Sequence, residues 1–278
     1  MIDLHCHSTA SDGVLPPAEV ITHAAAIGLT AVALTDHDTT AGLSEARDAG
    51  SRLGVEVVGG CEFSVAASWG EMHLLGYFIE PGDASVEDFL AAARDDRSRR
   101  AREMVTLLMG LGVRISSDDV LRESGGAAIG RPHVARALLT LGHVETVQQA
   151  FDRYIGRGRP AFVEKNLPTL SEVANLVHAR GGVVSAAHLK SFGTVANLTV
   201  LKEQGLDAVE TRHPSHTGDY LANITEAAAS LGLGRTGGSD WHGEVAAAGT
   251  HAALGSQQVP DEWLPELRER CRRMPEAH

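Results

Sequence analysis

The segment from Ile2 to Gly13 reads Ile-Asp-Leu-His-Cys-His-Ser-Thr-Ala-Ser-Asp-Gly, with two histidines two residues apart and an aspartate shortly after them. In a strand, side chains alternate between faces, so His5 and His7 project together while Leu4 and Cys6 point the other way. Two imidazoles on one face are half a metal site, and the turn chemistry of Ser11-Asp12-Gly13 lets Asp12 fold back toward them. Candidates for the other half recur down the chain: His37, Glu62, His73, His188, Asp240 and His242. Nine nitrogen and oxygen ligands exceed the needs of one four-coordinate zinc, so two or three divalent metals are implied. Six imidazoles and three carboxylates without a thiolate suit Mn²⁺, Zn²⁺ or Fe²⁺. Asp3, Asp36 and Asp38 are expected to orient ligating imidazoles, or, for Asp36 and Asp38, to place charge at a helix N-terminus.

These residues must be brought together by regular elements. Up to about residue 84, short β-branched runs alternate with alanine-rich helical patterns, as in βα units around a parallel sheet. A strand over 2–7 is followed by a helix opened by Pro16-Pro17 and closed by Gly28. A strand over 30–35 ends at Asp36-His37-Asp38, and Thr39-Thr40 are expected to cap a helix running to Leu53. A third strand begins at Val55 and ends at Glu62, and a fourth, carrying His73, follows the turn at Trp69-Gly70. From Ser85 the apolar spacing becomes helical: Val86, Phe89, Leu90, Ala93, Ala101, Met104, Val105 and Leu108 mark one long helix, and shorter helical patterns follow to Tyr154. The βα rhythm resumes with a capping box at Thr169 and Glu172, then strands ending at His188, near Glu210, and at Gly237-Gly238-Ser239-Asp240. Metal-capable residues at strand ends match the place where α/β barrels and open sheets keep their active sites. The organisation expected is a barrel over 1–84 and 165–278, with a helical insertion over 85–164 that caps the substrate.

Composition narrows the partners. The 278 residues carry 24 Lys and Arg against 36 Asp and Glu, a formal net charge of −12, which argues against binding along duplex DNA. The charge is uneven: between Val86 and Glu164 twelve Arg face eleven acidic residues, while the remainder has a net of −13. Arg94, Arg97, Arg99, Arg100 and Arg102 are expected on a solvated helix face, with Asp95–Arg99 and Asp96–Arg100 as pairs four apart. No apolar run approaches a membrane span, and no basic-then-apolar leader is present, so a cytoplasmic protein off the membrane is expected. Three cysteines, Cys6, Cys61 and Cys271, form no disulfide framework.

His5-Cys6-His7-Ser8 with Asp12, Thr35-Asp36-His37-Asp38-Thr39, Glu62-Phe63-Ser64 and Gly238-Ser239-Asp240-Trp241-His242 resemble, in order, the motifs of the polymerase and histidinol phosphatase (PHP) superfamily. The resemblance implies a distorted (β/α)7 TIM-like barrel with up to three metals at its mouth. By the same resemblance the first metal takes His5, His7, Glu62 and Asp240; the second shares Glu62 and adds His73 and His188; the third takes Asp12, His37 and His242. Ile129-Gly130-Arg131-Pro132-His133-Val134-Ala135-Arg136 and Pro214-Ser215-His216 look like the subgroup of enzymes that remove the 3′-phosphate from nucleoside 3′,5′-bisphosphates or trim short oligoribonucleotides from the 5′ end. In that subgroup Arg131, His133 and His216 face the substrate phosphate. One departure concerns the loop after the ligand at His188: the family usually reads Ala-His-Pro where this chain has Ala187-His188-Leu189.

The chemistry expected is direct hydrolysis of a phosphomonoester by metal-activated water, with no covalent enzyme intermediate. Arg131 offers a bidentate fork to phosphoryl oxygens, and His133 or His216 a proton for the leaving group. The substrate is then a small anionic nucleotide, or short single-stranded RNA, and the favoured cofactor Mn²⁺. Histidinol phosphate is the alternative phosphoester. An amidohydrolase-type C–N hydrolase would commonly use a strand lysine, and the chain has only Lys165, Lys190 and Lys202. A non-catalytic accessory module is the remaining alternative.

Overall fold

The computed structural model describes residues 1–125, 129–243 and 252–272. It divides into two compact units, Met1–Glu87 with Leu167–His278, and Asp88–Asn166. The first unit is built on seven strands joined in sequence order into one sheet. They are β1 (Ile2–Cys6), β2 (Ala31–Leu34), β3 (Glu56–Ala67), β4 (Gly70–Tyr77), β5 (Val183–Ala186), β6 (Ala208–Arg212) and β7 (Gly234–Gly237). Helices α1 (Pro17–Ala26) and α2 (Leu43–Leu53) connect the first three strands. After β7 the chain returns to β1: Asp240 N–H donates to the His5 carbonyl at 2.9 Å, and His7 N–H to the Trp241 carbonyl at 2.9 Å. The sheet is thereby nearly closed into a barrel, the distorted (β/α)7 form expected. Closure depends on Gly238, where a Cβ would lie 2.4 Å from both Cβ and N of His5.

The sheet is not wholly parallel. β3 continues past Glu62 and pairs antiparallel with β4, which is also antiparallel to β5. His73 therefore lies in the N-terminal half of a reversed strand, the half that meets the C-terminal ends of its parallel neighbours, rather than at a C-terminal strand end. In β1 the register shifts between Asp3 and Cys6, so strict alternation fails there. Leu4 joins Ile2, Ala31 and Tyr77 in one core cluster, while Cys6 joins Ile21, Val32 and Leu34 in another. All five β1 residues are consequently buried. Burial from both sides is what a barrel strand covered by helices requires.

Local sequence explains most boundaries. Thr169 caps α7 (Leu170–His178), its hydroxyl accepting from Glu172 N–H while the Glu172 carboxylate accepts in return. The Thr39-Thr40 cap is not formed: α2 starts three residues later, behind Gly42. Thr39 Oγ1 instead accepts Ala41 N–H, and the Thr40 hydroxyl is turned away to donate to the Glu87 carboxylate. The remaining helices of this unit are α8 (Val195–Glu203), α9 (Asp219–Leu231) and α10 (Trp263–Arg272); α10 packs Trp263, Leu264 and Leu267 into the Ile2–Leu4 cluster.

The long helix α3 (Ala84–Gly110) begins in the first unit and continues into the second, which also holds α4 (Ser117–Ser124), α5 (Arg131–Thr140), α6 (Val147–Ala150) and a π-helical turn at Phe151–Ile155. Met104, Leu108, Val120, Val134, Leu138 and Ile155 are among its buried core. The arginine face of α3 is only partly solvated. Arg99 pairs with Asp96 and Glu103, but Arg100 is buried and donates from Nε and Nη2 to the Val163 carbonyl, both at 3.1 Å. Arg100 thus helps hold the chain at Val163. Among the described residues no helix is long and apolar enough to cross a membrane.

Candidate metal centre

Glu62 is the hub of the barrel mouth. Its side chain is buried, and five imidazoles surround it. Oε2 lies 3.3 Å from His5 Nε2, 3.1 Å from His7 Nε2 and 3.2 Å from His37 Nδ1, while Oε1 lies 2.7 Å from His73 Nδ1 and 3.1 Å from His188 Nε2. Asp240 Oδ1 stands 3.3 Å from His5 Nε2 and 3.2 Å from His7 Nε2. Asp12 Oδ1 stands 3.3 Å from His242 Nε2, and Asp12 Oδ2 3.9 Å from His37 Nε2. All nine residues singled out in the sequence therefore meet.

Their ligand atoms fall into overlapping groups within 4.8 Å: His5, His7, Glu62 and Asp240; His37, Glu62 and His73; and His7, Asp12, His37 and His242. His188 joins through Glu62. His7 belongs to two groups, more than the motif resemblance gives it.

The donor set fits divalent cations. Both ring nitrogens of His7 and Nδ1 of His37 are buried without a hydrogen bond. Buried polar atoms are almost always paired, so orphaned imidazole nitrogens aimed at carboxylates mark a place for a cation. Charge agrees. Burial pushes the Glu62 carboxyl up, but His37, His73 and His5 outweigh it and hold it well below its ordinary range. Burial likewise raises Asp12, and His37 and His242 bring it well below. Among the imidazoles, burial lowers His7, yet Asp240 and Glu62 lift it to about 10, and Glu62 lifts His73 to about 9 against the same burial. Asp240 and Glu210 raise buried His5 well above its ordinary value. Burial dominates at His37, which falls to about 3. His188 and Asp240 also adopt left-handed backbone, with φ of 31° and 52°. Such strain in non-glycine residues concentrates at functional sites.

Two residues near the centre were not singled out by sequence. Glu210 lies within β6 and accepts from His5 Nδ1 at 3.0 Å and from His188 N–H at 2.8 Å. His213 Nδ1 accepts Ser215 N–H at 3.1 Å, and its Nε2 faces Asp240 Oδ2 at 3.5 Å. Their signal was position alone, at the end of a strand already suspected. Glu210 takes the imidazole-orienting role expected of Asp3, Asp36 and Asp38. Asp3 instead accepts three backbone amides, His5, Ser239 and Gly255, at 3.2, 3.1 and 2.8 Å. Asp36 accepts Ser8 N–H, Ser8 Oγ and Ser11 Oγ at 2.8, 2.7 and 2.6 Å, fixing the loop that carries Asp12. Asp38 receives Ser64 N–H at 3.4 Å, beside Glu62.

Of the residues expected to face phosphate, two lie in α5 and one follows β6. Arg131 opens α5 with its guanidinium 5.9 Å from the Phe162 ring centre, and His133 Nδ1 accepts Gly130 N–H at 2.9 Å, which leaves the proton on Nε2. His216 uses both nitrogens on backbone: Nε2 accepts Lys190 N–H at 3.0 Å and Nδ1 donates to the Thr211 carbonyl at 3.2 Å. It therefore has no nitrogen left for a leaving group, and holds the loop after His188 instead. In that loop Leu189 has φ −62°, the angle a proline ring would impose, so the turn is made without the usual proline.

A family model described as the PHP domain matches residues 3–178. A 5′-3′ exoribonuclease of Haemophilus influenzae is 34% identical over 245 residues, covering 86% of this chain and 89% of its own length. A 3′,5′-nucleoside bisphosphate phosphatase of Chromobacterium violaceum is 34% identical over 249 residues, covering 87% of each. The crystal structure of a protein described as a metal-dependent phosphoesterase, from Bifidobacterium adolescentis, superposes with a TM-score of 0.87 at 32% identity, over 97% of this chain and 96% of that one.

Proposed function

The chain belongs to the PHP domain family and is a metal-dependent phosphoesterase acting on nucleotides, and on that premise we propose that its substrate is a nucleoside 3′,5′-bisphosphate, from which it releases the 3′-phosphate to leave a nucleoside 5′-phosphate. The observation that carries the reading is the convergence of nine nitrogen and oxygen donors, Glu62 among them with five imidazoles around it, in overlapping groups that leave imidazole nitrogens unpaired. His5, His7, Glu62 and Asp240 would hold one cation, Glu62, His73 and His188 a second, and Asp12, His37 and His242, with His7 also in reach, a third, Mn²⁺ being the favoured ion. When bound, such cations polarise a phosphoryl oxygen and make water nucleophilic near neutral pH.

The chain's own groups do the rest. Glu210 fixes the His5 ring through Nδ1, so that Nε2 faces the site. Asp36 holds the Ser8–Ser11 turn and so sets where Asp12 points. The motif resemblance gives Arg131 and His133 the substrate phosphate: the Arg131 guanidinium is a planar fork able to pair with two phosphate oxygens, which lysine would not reproduce, and His133, protonated at Nε2, is a donor of the same kind.

The Haemophilus relative favours a second activity at the same site, trimming of short oligoribonucleotides from the 5′ end. The amidohydrolase alternative would commonly use a strand lysine, and none of the three lysines lies in a strand.

A phosphate-release panel with Mn²⁺ tests the reading: adenosine 3′,5′-bisphosphate, AMP, histidinol phosphate and a short 5′-phosphorylated RNA. Fastest release from the bisphosphate, abolished by chelator, is expected. Equal rates on all four, or a preference for histidinol phosphate, would overturn it.

A further inference from the structure

The hairpin joining β3 to β4 rises past Glu62, with Ser64 opposite His73 and Ala67 opposite Gly70 at its tip. Trp69 sits in the turn. On the neighbouring side, β4 pairs with β5 through Leu74 and Ala186, and the loop after β5 runs from His188 to Phe192. The Trp69 and Phe192 rings stack face to face, with centroids 4.9 Å apart and planes 7° apart. Phe192 is 42% exposed despite this contact. Each ring comes from a segment that carries a Glu62-bound imidazole: Trp69 lies four residues before His73, and Phe192 four after His188.

The loop presenting Phe192 is fixed from several sides. The Phe192 carbonyl accepts Thr194 N–H at 2.8 Å and Asn197 Nδ2 at 2.9 Å, and Phe192 N–H donates to Leu189 at 2.9 Å. His216 receives Lys190 N–H, and Lys190 is held in left-handed backbone with φ 52° and its side chain exposed. A Cβ on Gly193 would meet Ile224 Cδ1 at 2.7 Å, so the loop is packed down on α9. A strained, multiply bonded loop that spends this order on an exposed ring and an exposed cation is arranged for a ligand with a flat face and negative charge.

We propose that the Trp69–Phe192 stack is a platform on which the nucleobase of the substrate lies, continuing the stack on the open face of Phe192, with Lys190 beside it for a phosphate of the same nucleotide. The proposal rests on the nucleotide reading above and deepens it. Trp69 is four residue steps from His73, roughly 13 Å of strand rise. That is the scale of a nucleotide rather than of a bare phosphate. Base–aromatic stacking is tolerant of base identity, so the platform selects for a base without choosing which. It also gives His216 a task in substrate binding, as the residue that positions Lys190 and Phe192.

The test is Phe192→Leu and Phe192→Tyr in the full chain. Binding of AMP and of ribose 5-phosphate is measured by calorimetry with Mn²⁺, and KM and kcat with adenosine 3′,5′-bisphosphate. Phe192→Leu should weaken AMP binding and raise KM by about tenfold or more, with kcat near wild type. Phe192→Tyr, which keeps a ring, should restore both, and ribose 5-phosphate should bind all three proteins alike. AMP binding unchanged in Phe192→Leu, or an equal loss for ribose 5-phosphate, would overturn the platform. A wild-type protein that binds AMP through Phe192 yet releases no phosphate from the bisphosphate would defeat the proposed reaction and leave the platform standing.

Discussion

Loading the centre with metal should expel protons, and the count follows from the geometry. Without a cation, His5, His7 and His73 each sit against carboxylates that hold their protons: His7 at about 10, His73 at about 9, and His5 well above its ordinary value. His37, at about 3, is already neutral. An imidazole must be deprotonated at the nitrogen that binds a metal, so three protons leave as the centre fills at pH 7. Each costs about 1.4 kcal/mol per pH unit below its value, roughly 4 kcal/mol for His7 and roughly 3 kcal/mol for His73. Apparent affinity should therefore rise about tenfold per pH unit for each proton displaced, and level off as pH passes about 9–10. The sign for the metal-free protein is opposite. These raised values stabilise the fold fully below pH 6.5, and that contribution is lost as pH climbs through 9–10. Glu62 and Asp12, held low, work the other way, and their contribution disappears only in acid. Titration with Mn²⁺ at pH 7 in buffers of different ionisation enthalpy gives the number directly, as the slope of observed heat against buffer enthalpy. A slope of two to three is expected, falling by about one in His73→Gln. A slope near zero would refute the charge assignment of the whole centre.

Three other perturbations separate the parts of the site. Because His7 belongs to two ligand groups and Asp12 to one, His7→Ala should lose metal from two positions and Asp12→Ala from one; equal metal content by elemental analysis would contradict the grouping. Asp3→Ala leaves three buried amides without an acceptor, at about 1–3 kcal/mol each before relaxation, so urea unfolding with chelator present should report a loss of about 3–5 kcal/mol. A loss under about 1 kcal/mol would show that water takes over these amides. Gly238→Ala forces a methyl against His5, and should cost about 1–3 kcal/mol while weakening metal retention. Wild-type melting temperature and metal content in that variant would disprove the close approach.

What could be read from the sequence, and what could not, divides along the range of the forces involved. The Thr169–Glu172 cap, the helix after Pro17 and the long helix through Met104 are set by neighbours within a few residues, and they form where local chemistry puts them. The reversal of β4 was invisible, because Met72 to Tyr77 has the same composition whichever way its partner runs; only pairing with β3 and β5 decides it. The Thr39-Thr40 cap failed for the same reason, since a remote Glu87 competes for one hydroxyl. Within the centre, histidines announced themselves by residue type and spacing, whereas Glu210 is an ordinary strand residue until the barrel closes and brings His5 Nδ1 to it. The motif resemblance gave no sign that both nitrogens of His216 meet backbone groups. Its neighbour His213 differs only in having an unpaired Nε2 turned toward Asp240. Residue type thus identified the set of groups able to bind metal, but orientation by a second residue decided which of them face it. That second layer, Glu210, Asp36 and Asp3, is made of long-range contacts between strands that meet only in the closed sheet, so the precision of this centre is a property of barrel closure and not of any one motif.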